Sequence, residues 1–306
     1  MSNLPSKHNP IIKRLPYGIK EFGRNLLELP ARIRERYNYY ISEKIPMEEI
    51  IDKLRALGVK EGSTLFVHSS LSRLGFVKGG ANTVIDAILE VLGPKGTLVM
   101  PTFGWFPPVL KDYIKENPPV FDHKRSPSKL GVISETFRRR SGVLRSVHPT
   151  HSVAACGPKA DFLVNEHIRS ITPFDAFSPY HKILKLDADI LCLAVSIRFI
   201  TFYHVFEDIN PAFPFNVYYD KPIKIRIKDD KGEYKIVDTY CHHEDLALTR
   251  IDHDRKVLMR VKKYFENKGI IRGIKVGERE SYLLNSNQII SALNDMLKEG
   301  KTIYAG

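Results

Sequence analysis

The segment that most constrains the fold is residues 63–100, because it contains a strand, a glycine-bearing loop, a helix and a second strand in that order. The two β-prone runs lie at 63–67 and 97–100. Apolar residues at helical spacing between them predict a helix that Thr83 caps at its start and the turn at 93–96 ends. Two strands joined through a helix are typical of an α/β fold.

Similar patterns predict the elements that flank this segment. Residues 101–150 contain many prolines and aromatic residues, so we expect a long loop over the sheet, and ordered loops of this length are usually functional. The other elements are a helix that Gly58 stops, a helix inside the loop, a buried strand, a further helix, a β-hairpin and a last helix. We place them at 47–57, 128–138, 189–195, 201–207, 221–240 and 289–297.

The charge and the cysteines exclude several classes of protein. The 306 residues carry a formal net charge of +12, which favours anionic partners such as phosphates, nucleotides or lipid headgroups. We find no signature of a nucleic-acid-binding module, no apolar run long enough to span a membrane, and no secretory leader. Cys156, Cys192 and Cys241 are too few and too scattered for a disulfide framework. We therefore expect a cytoplasmic protein that does not bind nucleic acid.

Residues 1–46 differ in character from the rest. They carry nine basic residues against four acidic ones, with apolar residues at three- and four-residue steps. One hypothesis is an amphipathic segment that contacts a membrane surface or a partner. The other is a helix packed on the protein or on a second copy in an oligomer, and Pro30 and the interleaved glutamates favour it. We therefore expect a basic N-terminal extension, 1–46, and a catalytic domain, 47–306.

The loop after the first strand, 68–80, is the first place that could carry chemistry. Backbone N–H groups and small hydroxyl residues at a helix start suit a phosphate or the amides of a pantetheine chain. The loop lacks the Gly-Lys-Ser/Thr ending of a P-loop and the spacing of a dinucleotide fingerprint. Taken alone, its glycines are equally compatible with a simple turn.

His204 and Glu207 are the second such place. They are three residues apart on a predicted helix, so both lie on one face of it. A carboxylate that orients an imidazole is what a general base needs near neutral pH. The alternative is an ordinary ion pair on a helix surface.

Two histidine clusters have the spacing of metal half-sites. One is His148-Pro-Thr-His151, and the other is Cys241-His-His-Glu244 near His253. Neither carries the helical His-Glu-x-x-His pattern of zinc enzymes, and satisfied loop histidines are far commoner than ligands. We therefore expect no metal.

Several motifs follow one another in a specific order from about residue 46 to 298, and together they are more specific than any one of them alone. The first runs Val-His-Ser-Ser-Leu-Ser from residue 67, and a later one runs Thr-Phe-Tyr-His-Val-Phe-Glu from residue 201. The full set lies at 67–80, 93–102, 148–153, 172–174 with 178–179, 201–207 and 276–277. This order of motifs resembles the aminoglycoside 3-N-acetyltransferase family.

The resemblance implies a layered α/β/α sandwich with a central mixed sheet, together with a C-terminal β-hairpin and helix. It also implies an acyl-CoA-dependent N-acyltransferase in which His204, oriented by Glu207, activates an amine for direct attack on the thioester. Acetyl-CoA or another short acyl-CoA is the expected co-substrate. The residues implied to bind it are His68, Ser69, Ser70, Leu71, Ser72, Gly75, Val77, Gly79, Gly80, His151, Ser152 and Thr201. The candidate donors to the oxyanion are the N–H groups of 69–71 and the Thr201 hydroxyl.

Two residues that we expect near the acceptor substrate differ from the usual residues of the family. Phe206 replaces a small residue and Asp175 replaces a glycine, and we expect both, with Phe103, to contact the substrate. Residues 1–46 contribute +5, so +7 remains on the rest of the chain. This favours an anionic acceptor, such as a nucleotide-linked amino deoxysugar for surface polysaccharide. The alternatives are an aminoglycoside, as in resistance enzymes, and a catalytically inactive scaffold in a polysaccharide pathway.

Overall fold

The computed structural model describes residues 44–104 and 120–305. Most of the predicted extension and part of the predicted long loop, 105–119, lie outside the described residues. The described helices, α1 to α10 in chain order, are Met47–Leu57, Leu71–Leu74, Ala81–Leu92, Val132–Arg138, Ala160–Val164, Pro179–Lys185, Tyr203–Ile209, Glu244–Thr249, Arg255–Asn267 and Ser286–Lys298. The strands, β1 to β10, are Thr64–Ser69, Thr97–Pro101, Phe121–Asp122, Leu144–Arg145, Val153–Cys156, Asp189–Leu193, Ile223–Lys228, Tyr234–Thr239, Arg272–Val276 and Arg279–Asn285.

A seven-stranded mixed sheet lies at the centre, in the order β4-β5-β2-β1-β6-β10-β9. Strand β1 is parallel to both β2 and β6, and the other neighbours are antiparallel. Phe66 in β1 pairs with Val99 in β2 and with Ile190 in β6. The carboxyl ends of these three strands therefore share one edge, outside which ligands bind in open α/β sheets.

Helices cover both faces of this sheet. Successive side chains of a strand point to opposite faces, and Phe66 joins a large buried core with residues of α5, α6, α7, α9 and α10. Its neighbours Leu65 and Val67 are equally buried but lie outside that core, on the face where α1, α3 and α4 pack together. The predicted layered α/β/α sandwich with a mixed sheet is confirmed.

A second, three-stranded sheet has the order β3-β7-β8. Strands β7 and β8 form the hairpin that the alternation at 221–240 predicts. Ile223, Ile225 and Ile227 are buried against Phe121, while the basic residues between them point outward. The C-terminal helix is also present, as α10.

Some element boundaries differ from the predicted ones. Helix α3 begins at Ala81 with Gly80 as its N-cap, so Thr83 lies inside the first turn. The φ of Gly80 is 67°, a left-handed value that glycine adopts without a Cβ clash, and the chain turns into the helix there. The patterns also did not predict the β9–β10 hairpin beside β6. Among the helices of residues 44–104 and 120–305, none has both the length and the apolar character needed to cross a membrane.

Candidate active site

A cavity of about 790 Å³ opens at the carboxyl ends of β1 and β6. Its wall contains residues 67–73, which run from the end of β1 into helix α2. Thr201 and His204, at the start of α7, lie beside them. His242, which follows β8, and His151 complete the part of the wall that carries imidazoles. The parallel strands end here, and so the loops that follow them converge on one place.

His204 and Glu207 are in direct contact in this cavity. Nδ1 of His204 lies 2.8 Å from Oε2 of Glu207, one turn further along the same helix. The Glu207 side chain is 1% exposed, and the Phe174 ring lies against His204 with ring centroids 5.1 Å apart. The three-residue spacing and the buried surroundings thus fix a hydrogen bond between Nδ1 of His204 and the Glu207 carboxylate.

Glu207 also has two partners from distant parts of the chain. Nε2 of His242 lies 3.2 Å from Oε2, and the Tyr304 hydroxyl donates to Oε1 over 2.7 Å. We assigned neither residue a role from the sequence. The only signal was the Cys241-His-His run, which we considered for metal binding, since proximity to Glu207 depends on tertiary packing.

The electrostatics of the pair favour a neutral imidazole beside an ionised carboxylate. Burial lowers the pKa of His204, and the neighbouring Glu207 only partly opposes this. Burial alone would raise the pKa of Glu207, but the two histidines outweigh it and hold that pKa well below its usual range. His204 is therefore ready to accept a proton at neutral pH, through the nitrogen that does not face Glu207.

The first half of the expected acyl-CoA segment lies in the cavity wall. His68, Ser69, Ser70, Leu71 and Ser72 all line it. The Ser70 N–H donates to the Leu193 carbonyl over 3.2 Å and is thereby removed as an oxyanion donor.

Thr201 lies on the same side of the cavity. Its Oγ1 is 3.3 Å from Nε2 of His68. Burial lowers the pKa of His68 to about 3, so this imidazole is neutral. If Nε2 carries the proton, the Thr201 hydroxyl is free to donate into the cavity.

The second half of that segment does not line the cavity. Helix α2 carries the chain away, and Gly75, Val77, Gly79 and Gly80 lie beyond it. A Cβ on Gly79 would lie 2.2 Å from Oγ1 of Thr83, which explains the glycine by local packing. Contact of these four residues with acyl-CoA stays a prediction, which the lining of this cavity does not support.

His151 and Phe103 line the cavity side by side, with ring centroids 4.9 Å apart. Ser152 lies behind the wall and is fully buried. Its hydroxyl is 3.3 Å from Nε of Arg145, a side chain that also donates to the Thr102 carbonyl over 2.7 Å. This contact gives Ser152 a structural role in the loop, and its contact with the thioester stays a prediction.

Asp175 and Phe206 are not part of this cavity either. The Asp175 carboxylate accepts hydrogen bonds from the Ser170 hydroxyl at 2.8 Å and from the backbone N–H groups of Ile171 and Phe177, so it organises its own loop. Phe206 is 4% exposed and belongs to the large core. It is two residues from His204 on a helix, which turns its side chain about 200° away.

The charged side chains on the cavity wall are mainly basic. Arg73, Lys129, Arg198 and Arg250 line it, and Asp252 is the acidic residue among the described lining residues. Arg250 binds both carboxylate oxygens of Asp252, at 2.8 and 2.9 Å. The charges of Arg250 and Asp252 thus compensate each other, while Arg73, Lys129 and Arg198 leave the wall positive and favour anionic groups.

Of the two candidate metal half-sites, the structure gives the first a structural role and brings His242 of the second close to His204 and Glu207. Nδ1 of His148 accepts the backbone N–H of His151 over 3.2 Å, which gives it a structural role. The nitrogen donors of His204 and His242 and an oxygen of Glu207 do lie within 4.8 Å of one another, a spacing that a metal ion tolerates. Hydrogen bonds from the rings to the carboxylate account for this geometry.

Sequence comparison shows which proteins share these features. The family model described as aminoglycoside 3-N-acetyltransferase matches residues 66–298. The aminoglycoside N(3)-acetyltransferase III of Pseudomonas aeruginosa is 29% identical over 255 residues, which are 78% of this chain and 89% of that protein. The SPbeta prophage-derived aminoglycoside N(3')-acetyltransferase-like protein YokD of Bacillus subtilis is 34% identical over 174 residues, which are 52% of this chain and 64% of that protein.

Comparison of structures points the same way. A crystal structure of a variant of aminoglycoside acetyltransferase AAC(3)-IVa in complex with a gentamicin aligns with a TM-score of 0.70 and 26% identity. The alignment covers 87% of this chain and 93% of that one. The family model spans most of the chain, including both residues of the His204–Glu207 pair. This chain therefore belongs to the aminoglycoside 3-N-acetyltransferase family.

Proposed function

We propose that the chain transfers an acetyl or another short acyl group from acyl-CoA to the primary amine of an amino sugar. Family membership supports both acyl-CoA and transfer to an amine. The observation that carries the proposal is the orientation of His204. Because Nδ1 is held on Glu207, Nε2 is the nitrogen that can take a proton in the cavity.

The reaction needs one base and one oxyanion donor. The amine attacks the thioester carbonyl carbon, and Nε2 of His204 takes a proton from the nitrogen as the C–N bond forms. The tetrahedral intermediate then collapses, the C–S bond breaks, and the imidazolium returns its proton to the thiolate. We assign the oxyanion to the Thr201 hydroxyl, which lines the cavity one helical turn before His204.

An aminoglycoside amine is the acceptor that the comparisons support. The family description and the named relatives are aminoglycoside acetyltransferases. They give no support to the nucleotide-linked sugar or to the polysaccharide pathway that we expected from the net charge. Asp175 and Phe206, which we expected to contact the substrate, lie outside the cavity that His204 lines.

The basic wall nevertheless favours a second candidate, an amino sugar that carries a phosphate or diphosphate. Among the described lining residues Arg250 is paired with Asp252, and three further cations, Arg73, Lys129 and Arg198, face the cavity. The phosphates of CoA would occupy some of these cations. Arg250 lies near Glu207 and His204, so it is the cation we place on the acceptor side.

Release of free CoA thiol, followed with acetyl-CoA and a panel of amines, tests the proposal. The panel pairs gentamicin with a nucleotide-linked 3-amino deoxysugar, at low and high salt. Turnover of gentamicin alone identifies the aminoglycoside as acceptor. Turnover of the nucleotide sugar that weakens as salt rises identifies the anionic acceptor. No turnover with any amine would leave the inactive scaffold.

Arg250→Gln sharpens the choice between the two acceptors. Loss of Arg250 leaves the Asp252 charge uncompensated. It should therefore lower kcat/KM for the nucleotide-linked sugar by roughly tenfold and leave that for gentamicin unchanged or higher. Arg255→Gln, on the exposed start of α9, is the matched control and should alter neither.

A further inference from the structure

Two imidazoles share one carboxylate oxygen in this cavity. Nδ1 of His204 and Nε2 of His242 both lie within hydrogen-bond distance of Oε2 of Glu207, and the ring centroids are 4.3 Å apart. An ionised carboxylate only accepts, so both nitrogens donate. In the neutral form of each imidazole the other nitrogen, Nε2 of His204 or Nδ1 of His242, carries no proton and can accept one.

Both of these nitrogens are available for chemistry. Within the described part of the chain neither has a hydrogen-bond partner. The two side chains are 11% and 14% exposed, and both line the cavity. The cavity thus contains two imidazoles that share the Glu207 carboxylate and could act as bases, whereas the proposed reaction needs only His204 as a base.

The acceptor supplies a reason for a second base. An alkyl amine is an ammonium ion at neutral pH, and two protons must leave its nitrogen before an amide is formed. One of them ends on the thiolate of CoA. The overall reaction of an ammonium ion with acetyl-CoA gives the amide, free CoA thiol and one proton, so the second proton must leave for solvent.

We propose that His242 is a second catalytic base that removes the first proton from the ammonium form of the acceptor. This inference rests on the proposed function. Nδ1 of His242 takes that proton and releases it to solvent, and the neutral amine then attacks the thioester. Nε2 of His204 takes the second proton as the C–N bond forms and returns it to the thiolate as the C–S bond breaks. His204 has the later role because Thr201, on the acyl-CoA side, is one helical turn away.

The surroundings of His242 are compatible with a transient positive charge. Glu207 faces it directly, and Tyr218 stacks on the ring with centroids 4.7 Å apart. The Tyr218 hydroxyl is turned away, since it donates to Asp208 over 2.5 Å. The remaining titratable or charged groups around this part of the cavity are His204, His151, Cys241, Tyr304, and Arg250 with its partner Asp252.

The competing explanation is that His242 only positions Glu207. His242→Gln distinguishes the two, because the amide can still donate to Glu207 but cannot accept a proton at neutral pH. The measurement is kcat/KM from pH 6 to pH 10 for the amine that the wild type acetylates, and for methoxyamine, which is uncharged at pH 7. His243→Gln is the matched control, because His243 stacks on Tyr219 and does not line the cavity.

A second base predicts a loss that depends on the charge of the amine. In His242→Gln, kcat/KM for the alkyl amine should fall about 10–100-fold at pH 7 and recover above the pKa of the amine. Acetylation of methoxyamine should stay within about threefold of wild type, which also shows that the variant is folded. Equal losses for both amines at every pH would overturn the proposal and leave a positioning role. A wild type that acetylates no amine would instead contradict the proposed function itself.

Discussion

The Tyr304 hydroxyl donates a hydrogen bond to Oε1 of Glu207 over 2.7 Å, across 97 positions of the chain. The other oxygen of Glu207 faces His204 and His242. The carboxylate that orients the base is therefore held by side chains from three separate parts of the sequence. Tyr304 is 3% exposed, so this contact is shielded from solvent.

Tyr304→Phe keeps the buried ring and removes only this donor. We expect kcat to fall about three- to tenfold and the free energy of unfolding to fall by ~1–3 kcal/mol, because a buried charged acceptor loses a partner. Thiol release and urea unfolding measure the two effects. Tyr234→Phe, on a residue that is 65% exposed, is the control and should change neither quantity. Wild-type kcat in Tyr304→Phe would show that the contact does not support the base.

The buried histidines make stability depend on pH. Burial lowers the pKa of His68 and of His148 to about 3, and that of His167 well below its usual range. In the unfolded chain these groups take a proton near pH 6.5. From pH 6.5 down to about 3 the unfolded state therefore binds more protons, so lower pH destabilises the fold. Each such histidine contributes ~1.4 kcal/mol per pH unit to this loss.

Urea unfolding at pH 7, 6 and 5 tests this dependence. His148→Gln should reduce the slope of stability against pH by about one histidine, whatever its effect on stability at pH 7. Gln288→Ala, at an exposed side chain that does not titrate, is the control and should keep the wild-type slope. If His148→Gln retains the full slope, His148 takes up protons equally in the folded and unfolded states, and burial does not lower its pKa.

Gly80→Val separates backbone conformation from cofactor binding. The family resemblance implies that Gly80 binds acyl-CoA, whereas the structure places Gly80 outside the cavity with a φ of 67°. We expect a loss of ~1 kcal/mol or more in stability, because valine is strained at this φ, and an unchanged Kd for CoA. Calorimetric titration of CoA and urea unfolding give the two values. A Kd raised tenfold in a stably folded variant would restore Gly80 to the cofactor site.

Metal chelation should have no effect on turnover. The donor atoms of His204, Glu207 and His242 lie close enough for an ion, but in our account both rings use a proton to bind the carboxylate. Dialysis against EDTA should leave kcat unchanged, and added Zn²⁺ should inhibit by displacing those protons. Loss of activity on chelation with recovery on Zn²⁺ would contradict the metal-free mechanism.

The sequence predicts those parts of the fold and of the site that depend on residues close together in the chain. The strands around Phe66 and Val99 are β-prone runs bounded by turns, and their pairing follows from the α/β order. The placement of His204 and Glu207 on one helix face follows from a spacing of three residues. The hairpin follows from the alternation of apolar and polar residues in β7, whereas most residues of β8 are exposed.

The parts that depend on tertiary contacts could not be predicted. Tyr304 and His242 contact Glu207 from 97 and 35 positions away in the sequence, and no local sequence pattern indicates these contacts. Residues 67–73 line the cavity, but the chain leaves it along helix α2, so Gly75 to Gly80 do not line it although they belong to the same sequence motif. Asp175 suggested a substrate contact because it departs from the family pattern, yet its carboxylate is used by its own loop.

The most direct test of the account is the rate of CoA thiol release by His204→Ala, measured with the amine that the wild type acetylates. Loss of the general base should lower kcat by about 10²–10⁴-fold while the Kd for CoA stays within a few fold. Glu207→Gln should lose less, because the imidazole remains. If His204→Ala keeps more than a tenth of the wild-type kcat, His204 is not the base and the proposed mechanism is wrong.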